Sequence, residues 1–246
     1  FKTTRLLGET FSFYSLKEIM AKANEERSGD QLAGISAESM KERMAAKQVL
    51  ADITLADIRN YPLLSADEDN VSALIESQVD SSVYDIIKNW TVGELREYIL
   101  SDEHTGEDLL ALSKGLNSEM IAAATKIMSN LDLIQGAAKI EVQTTCQTTI
   151  GQKGVLASRA QPNHPSDNLK GMRASLYEAL SYGIGDAVIG INPVIDTTDN
   201  IYALLNETKN IINEWSIPTQ NCVLSHVTSQ MRAIEKGAAA DLIFQS

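Results

Sequence analysis

Residues 155–163 read VLASRAQPN, and residues 185–194 read GDAVIGINPV. Each stretch opens with small and β-branched apolar residues, the composition of a strand buried on both faces. Each closes on polar residues and a proline: Arg159, Gln161 and Pro162 in the first, Asn192 and Pro193 in the second. A proline removes a ladder donor and ends a strand. The two stretches therefore predict buried strands that carry an arginine, a glutamine and an asparagine at their carboxyl ends. In a parallel barrel that rim is where chemistry is done, because the loops after the strands converge there.

The pattern repeats toward the carboxyl terminus. Strands are predicted at Val155–Ala160, Ala187–Asn192, Cys222–His226 and Leu242–Gln245, with helical periodicity between them at Leu169–Tyr182, Asp199–Trp215 and Thr228–Lys236. Such connections imply parallel neighbours joined by right-handed crossovers. About four βα units are half of a (β/α)8 TIM barrel, which needs ~250 residues when complete. A half barrel leaves unpaired edges, and no helix follows Leu242–Gln245. The sequence thus reads as a piece of a longer protein, and a first residue of Phe1 rather than Met points the same way.

Toward the amino terminus, residues 15–138 read as almost wholly helical. Thr3–Leu7 and Thr10–Tyr14 alternate around Gly8 and Glu9 as a small hairpin. Ser15 with Glu18, Thr54 with Asp57, Thr91 with Glu94 and Thr105 with Asp108 have the spacing of helix capping boxes. Ser36 is expected to start a helix through Ala51, with Met40, Met44 and Ala45 facing the core. Val71–Trp90 is amphipathic, and Ser118–Leu133 reads as a further helix. Asp67, Glu68, Asp69 and Asn70 lack the glycine and distal glutamate of a calcium loop and read as a solvated helix start. Threonines 144, 145, 148 and 149 mark a β-rich linker punctuated by Gly151 and Gly154. The expected division is a mainly helical domain with a small hairpin over 1–150, then the half barrel over 151–246, an α/β fold overall.

Lys plus Arg number 21 against 33 Asp plus Glu, a net charge of −12. That balance argues against a nucleic-acid partner, which requires a basic footprint. No apolar run reaches the ~20 residues of a membrane span, and the basic start FKTTRLLG has no apolar region after it. Cys146 and Cys222 fit no metal-ligand spacing and read as reduced cytosolic thiols.

Several segments carry a family resemblance: SRAQPN, GDAVIGINPV, IPTQNCVLSHVT and DLIFQS, and further upstream RSGDQLAGISAES (27–39), AAKQVLADITLADIRN (45–60) and IKNWTVGELREYILSDE (87–103). Together they resemble the large, catalytic subunit of ethanolamine ammonia-lyase, over nearly the whole chain and about half of such a subunit. The resemblance implies an adenosylcobalamin-dependent radical lyase that converts ethanolamine to acetaldehyde and ammonia, by hydrogen removal at C1 and migration of the amine. It implies that Arg159, Ala160, Gln161 and Asn192 contact substrate, Ala160 through its backbone, and that Pro193 and Gln245 line the cofactor site. A small subunit as partner, large-subunit dimers assembling into a hexamer, and a cytoplasmic location within a bacterial microcompartment are implied as well. The family's glutamate and aspartate on later strands have no counterpart here, so this chain alone is expected to be inactive.

The residue chemistry agrees with a small amino alcohol. Arg159 and Gln161, at i and i+2, share one face of a strand. Gln161 and Asn192 each bring a carbonyl acceptor and an amide donor. Arg159 sits oddly beside an ammonium. It makes sense if it pairs with a carboxylate or donates to the substrate oxygen as charge develops. Three histidines are set aside. His226 reads as a satisfied rim residue and His164 as a loop residue. His104 falls one residue short of a cobalt-ligating D-x-H-x-x-G signature, and the resemblance implies that no protein ligand to the metal is needed. An aldolase-like barrel lyase is an alternative, weakened because no predicted strand carries a Schiff-base lysine. A non-catalytic interaction module built on the helical region is another, and it leaves Arg159, Gln161 and Asn192 unexplained.

Overall fold

Serines and threonines followed three positions later by an acid set many of the helix starts in the first part of the chain. The computed structural model describes residues 2–245, with Gln245 described by its backbone alone. The chain divides into two units, Phe1–Ile140 and Glu141–Ser246.

In the first unit β1 (Lys2–Leu6) pairs antiparallel with β2 (Glu9–Phe13). Ten helices follow: α1 (Leu16–Lys22), α2 (Ser28–Leu32), α3 (Met40–Ala51), α4 (Leu55–Asn60), α5 (Asn70–Ser77), α6 (Ser81–Ile87), α7 (Val92–Leu100), α8 (Gly106–Ser113), α9 (Ser118–Lys126) and α10 (Asn130–Ala138). Reciprocal capping boxes open α4, α7, α8 and α10, each cap contributing ~1 kcal/mol. Ser15 caps α1 through the Glu18 amide, but the Glu18 carboxylate reaches back to the Tyr14 amide instead of closing a box. Apolar side chains of the hairpin and helices, among them Phe13, Ile19, Leu50, Ile58, Leu95 and Met120, meet in one core.

Four expectations for this unit change. The helix predicted from Ser36 starts at Met40, because Ser39 is the serine with an acid, Glu42, three positions on. Its buried stripe is Ala45, Ala46, Val49 and Leu50, whereas Met40 and Met44 are 66% and 50% exposed, so the methionines do not pack in the core. The amphipathic stretch 71–90 is two helices, broken where Asp80 caps α6. The helix expected over 118–133 is also two, broken by the Ser129–Asp132 box.

In the second unit β3 (Thr144–Thr145) and β4 (Thr149–Ile150) make a short antiparallel hairpin. There follow β5 (Arg159–Ala160), α11 (Leu169–Ser181), β6 (Val188–Ile191), α12 (Thr198–Glu214), β7 (Asn221–Ser225), α13 (Val227–Glu235) and β8 (Phe244–Gln245). The four strands β5-β6-β7-β8 form one sheet in sequence order, every pair parallel. The expected α/β alternation is therefore present, as an open sheet, and among the described residues no closed barrel forms. Alternate residues Ala160, Ile189, Ile191 and Val223 bury one face against Met172, Leu176, Ile201, Leu204 and Ile211 of the helices, each fully buried aliphatic side chain contributing ~1.5–3 kcal/mol. The opposite face carries Arg159, Gly190, Asn192, Cys222 and Phe244.

The first strand is shorter than its apolar run. Val155 and Leu156 are 60% and 97% exposed. Opposite them the turn at Gly185–Asp186 offers nothing to pair with, and the ladder begins only where Ala187 donates to the Ser158 carbonyl at 2.9 Å. The break between units falls at Ile140, upstream of Gly151, because the β3–β4 hairpin is tied to the sheet. The Gln220 side-chain oxygen accepts from the amides of Gln147 and Thr148 at 3.2 and 3.1 Å. Gly151 is required by the hairpin's exit: its φ is +95°, and a Cβ there would lie 2.1 Å from the Val142 carbonyl oxygen.

Candidate functional site

Arg159 and Asn192 lie on the face of the sheet away from the helices, but Arg159 opens β5, paired with Val188, instead of ending it, because the strand starts four residues later than its apolar run. Arg159 leaves β5 half-buried and lies across Gly190 of β6, and its guanidinium carbon is 4.5 Å from the centre of the Phe244 ring on β8. Its Nε and Nη2 are buried with no hydrogen-bond partner, and among the described residues it has no ion-pair partner. Asn192 stands two positions beyond Gly190 on the same face. Its amide nitrogen donates to the Pro162 carbonyl at 3.2 Å and its residue bridges to Asn163, so the β5–β6 pairing continues past Ala160. The Asn192 Oδ1 is buried and unpartnered.

A buried donor or acceptor left unmade costs ~1–3 kcal/mol, so such groups in one place call for an explanation. Here two guanidinium nitrogens and one amide oxygen remain unpaired on the open face of neighbouring parallel strands. They can donate to an oxygen and accept from an ammonium or hydroxyl. Burial pushes the neighbouring Cys222 thiol up from its ordinary value, with the Arg159 charge acting in the opposite direction.

The other expected site residues are placed as follows. Gln161 is exposed at the end of β5, and Pro193 is half-buried after Asn192. Ala160 is 1% exposed, with its methyl packed in the helix-facing core, leaving only its backbone to the strand end. Gln245 pairs with Ser225 through the β7–β8 register, and its side chain lies outside the described residues. His226 caps α13 and holds the Thr228 hydroxyl at 2.8 Å. His104 stacks on Tyr98 with ring centres 3.6 Å apart.

The family model describing the ethanolamine ammonia lyase large subunit matches residues 11–246. The chain is 50% identical over 243 residues to the ethanolamine ammonia-lyase large subunit of Escherichia coli K12, covering 99% of this chain and 54% of that protein. The chain belongs to the ethanolamine ammonia lyase large subunit family. The large subunit of Salmonella typhimurium LT2 matches at the same identity and coverage. The chain spans about half the length of these relatives.

Three residues of this ethanolamine ammonia lyase family member escape sequence reasoning. Asp167 is 5% exposed and holds the loop after β6. Its carboxylate accepts from the amides of Val194 (2.9 Å) and Ile195 (2.8 Å) and from the Asn200 side chain (2.7 Å). The one local signal is its place in a Pro-Ser-Asp-Asn turn, where its φ is +51°. Gln230 of α13 donates to the carbonyls of Ser225 and Phe244 at 2.7 and 2.8 Å, lacing β7 to β8. Gly190 leaves room for the guanidinium, and nothing in its local sequence marks that role. No helix of the described residues is long and apolar enough to cross a membrane.

Proposed function

We propose that this chain supplies the arginine and amide part of the substrate site of an adenosylcobalamin-dependent lyase that converts ethanolamine to acetaldehyde and ammonia. Its parallel sheet is, in this reading, the first four βα units of a (β/α)8 barrel. Family membership supports the reaction class. The observation that carries the site is the set of buried, unpaired polar atoms of Arg159 and Asn192 on one face of the sheet.

Ethanolamine presents a hydroxyl and an ammonium. Like charges repel, so Arg159 faces the hydroxyl end, where Nε or Nη2 donates to oxygen and stabilises negative charge developing there. Asn192 Oδ1 accepts from the ammonium or the hydroxyl proton, and Gln161 supplies a further donor and acceptor at the exposed rim. Phe244, 40% exposed, covers one side of the Arg159 guanidinium.

The residues present fit the apolar face of a corrin ring at this end, whose rim of amides needs polar partners besides. Pro193 is half-buried, and Val194 and Ile195 beside it are 64% and 48% exposed, an apolar shelf. Pro193 and Gln245 would hold adenosylcobalamin. When bound, it supplies the radical that removes hydrogen from carbon, chemistry that no side chain here provides. The same reading brings a small subunit, large-subunit dimers assembling into a hexamer and a microcompartment location, all resting on family membership.

The test is turnover by the full-length large subunit with its small subunit and cofactor. Gln161→Ala and Asn192→Ala are expected to lower kcat/KM for ethanolamine ~10–100-fold each, the scale of a lost polar contact to the reacting group. Unchanged turnover in both overturns the site.

A further inference from the structure

Gly190 lies in the middle of β6 on the open face, paired in register with Cys222 of β7. Its backbone is not in the left-handed region, so conformational freedom does not explain a glycine here. Space does. A Cβ at this position would lie 2.5 Å from Arg159 Nε, 2.6 Å from Nη2 and 2.7 Å from Cζ. From β8, the Phe244 ring covers the same guanidinium at 4.5 Å. A guanidinium ends a long, flexible side chain and is usually fixed by a carboxylate fork. Here Nε and Nη2 bind no acceptor among the described residues. The group is held between a backbone floor and an aromatic lid, and its donors stay free for a ligand.

We propose that Gly190 and Phe244 are positioning residues that set where Arg159 presents its Nε–Nη2 edge. The inference rests on the reading of Arg159 as a group that faces substrate. A methyl at 190 meets the movable end of a side chain, not backbone, so the guanidinium yields and the strand stays intact.

The experiment is a double-mutant cycle in the full-length large subunit with its small subunit, reading kcat/KM for ethanolamine and the unfolding midpoint. Gly190→Ala is expected to lower kcat/KM ~100-fold, the cost of a misplacement of about 1 Å. In an Arg159→Ala background the same change is expected to act less than ~2-fold, because the three atoms nearest that Cβ all belong to the Arg159 guanidinium and go with it. Phe244→Leu, which adds no bulk, is expected to lose ~10-fold alone and, like Gly190→Ala, little in the Arg159→Ala background. Equal losses in both backgrounds, with Arg159→Ala itself costly, overturn the positioning role alone. An Arg159→Ala protein with unchanged kcat/KM overturns the reading of Arg159, and the positioning role with it.

Discussion

The two ends of the parallel sheet treat their buried polar groups in opposite ways. At the amino-terminal end, Gln220 and Asn221 are fully buried and fully bonded. Gln220 accepts from the Gln147 and Thr148 amides and donates to the Ala187 carbonyl. Asn221 donates to the carbonyls of Leu205 (3.1 Å) and Ala239 (2.8 Å) and accepts from the Asp241 amide (3.0 Å). Asp241 in turn takes Lys209 at 2.8 Å and the Asn221 amide at 3.0 Å. At the carboxyl end, Asn192 and Ser225 each keep a buried polar atom with no partner, and the Arg159 guanidinium, which starts from the first residue of β5 and reaches over Gly190 to Phe244, keeps two. The amino-terminal end spends its buried polar groups on the fold, whereas the carboxyl end spends only some, Asp167 and Gln230, and leaves others unpaired. That division is what separates a stability face from a chemistry face in parallel α/β proteins.

The contrast can be broken by substitution. Gln220→Ala is expected to have the largest effect on folding, ~2–4 kcal/mol, because it orphans two hairpin amides and a strand carbonyl together. Urea unfolding measures it, and a loss near zero would remove the amino-terminal end from the comparison. Asp167→Ala is expected to cost ~1–3 kcal/mol, because its partners Val194 and Ile195 are partly solvated and water replaces some of what is lost. The stronger signature is local: faster amide exchange over 193–196 with the sheet unchanged. Ser225→Ala, at a 2% exposed position with an unbonded hydroxyl, is expected to leave unfolding within ~0.5 kcal/mol of wild type or raise it. A large loss there would mean the hydroxyl serves the fold.

The smallest expected effect is electrostatic. The Ser158 hydroxyl and amide donate to Asp186 at 2.6 and 2.8 Å and hold its carboxyl below the ordinary 3.8. A carboxyl lowered in the folded state adds stability that is complete above its unfolded value and is lost as pH falls through its folded one. Wild type and Asp186→Asn are therefore expected to differ modestly in unfolding midpoint at neutral pH and to converge in acid. A constant difference at all pH values would contradict this.

The alternation of strand and helix, and the polar strand ends, were legible because a buried parallel strand closed by proline leaves a local signature. Helix starts were legible at Thr54, Thr91 and Thr105, where an acid stands three residues on, but the pairs Ser39–Glu42 and Ser129–Asp132 are hidden inside apolar periodicity that reads as longer helices. The face of α3 was not: Met40 and Met44 suit a core, yet Ala45 and Val49 take it, since tertiary packing sets the phase. The run at Val155 misled for a related reason, because a strand needs a neighbour and none reaches that far. Arg159 and Asn192 could be named from residue type and spacing. Gly190, Phe244 and Asp167 could not, since their roles arise from contacts between elements distant in sequence.

The most direct measurement compares one residue type at the two ends: urea unfolding of Asn221→Ala and Asn192→Ala, on the neighbouring strands β7 and β6. The division of labour predicts a loss of ~3 kcal/mol for Asn221→Ala, which orphans buried partners, and less than ~1 kcal/mol for Asn192→Ala, whose Oδ1 holds none. Equal losses would mean that both ends serve the fold, and would contradict the account.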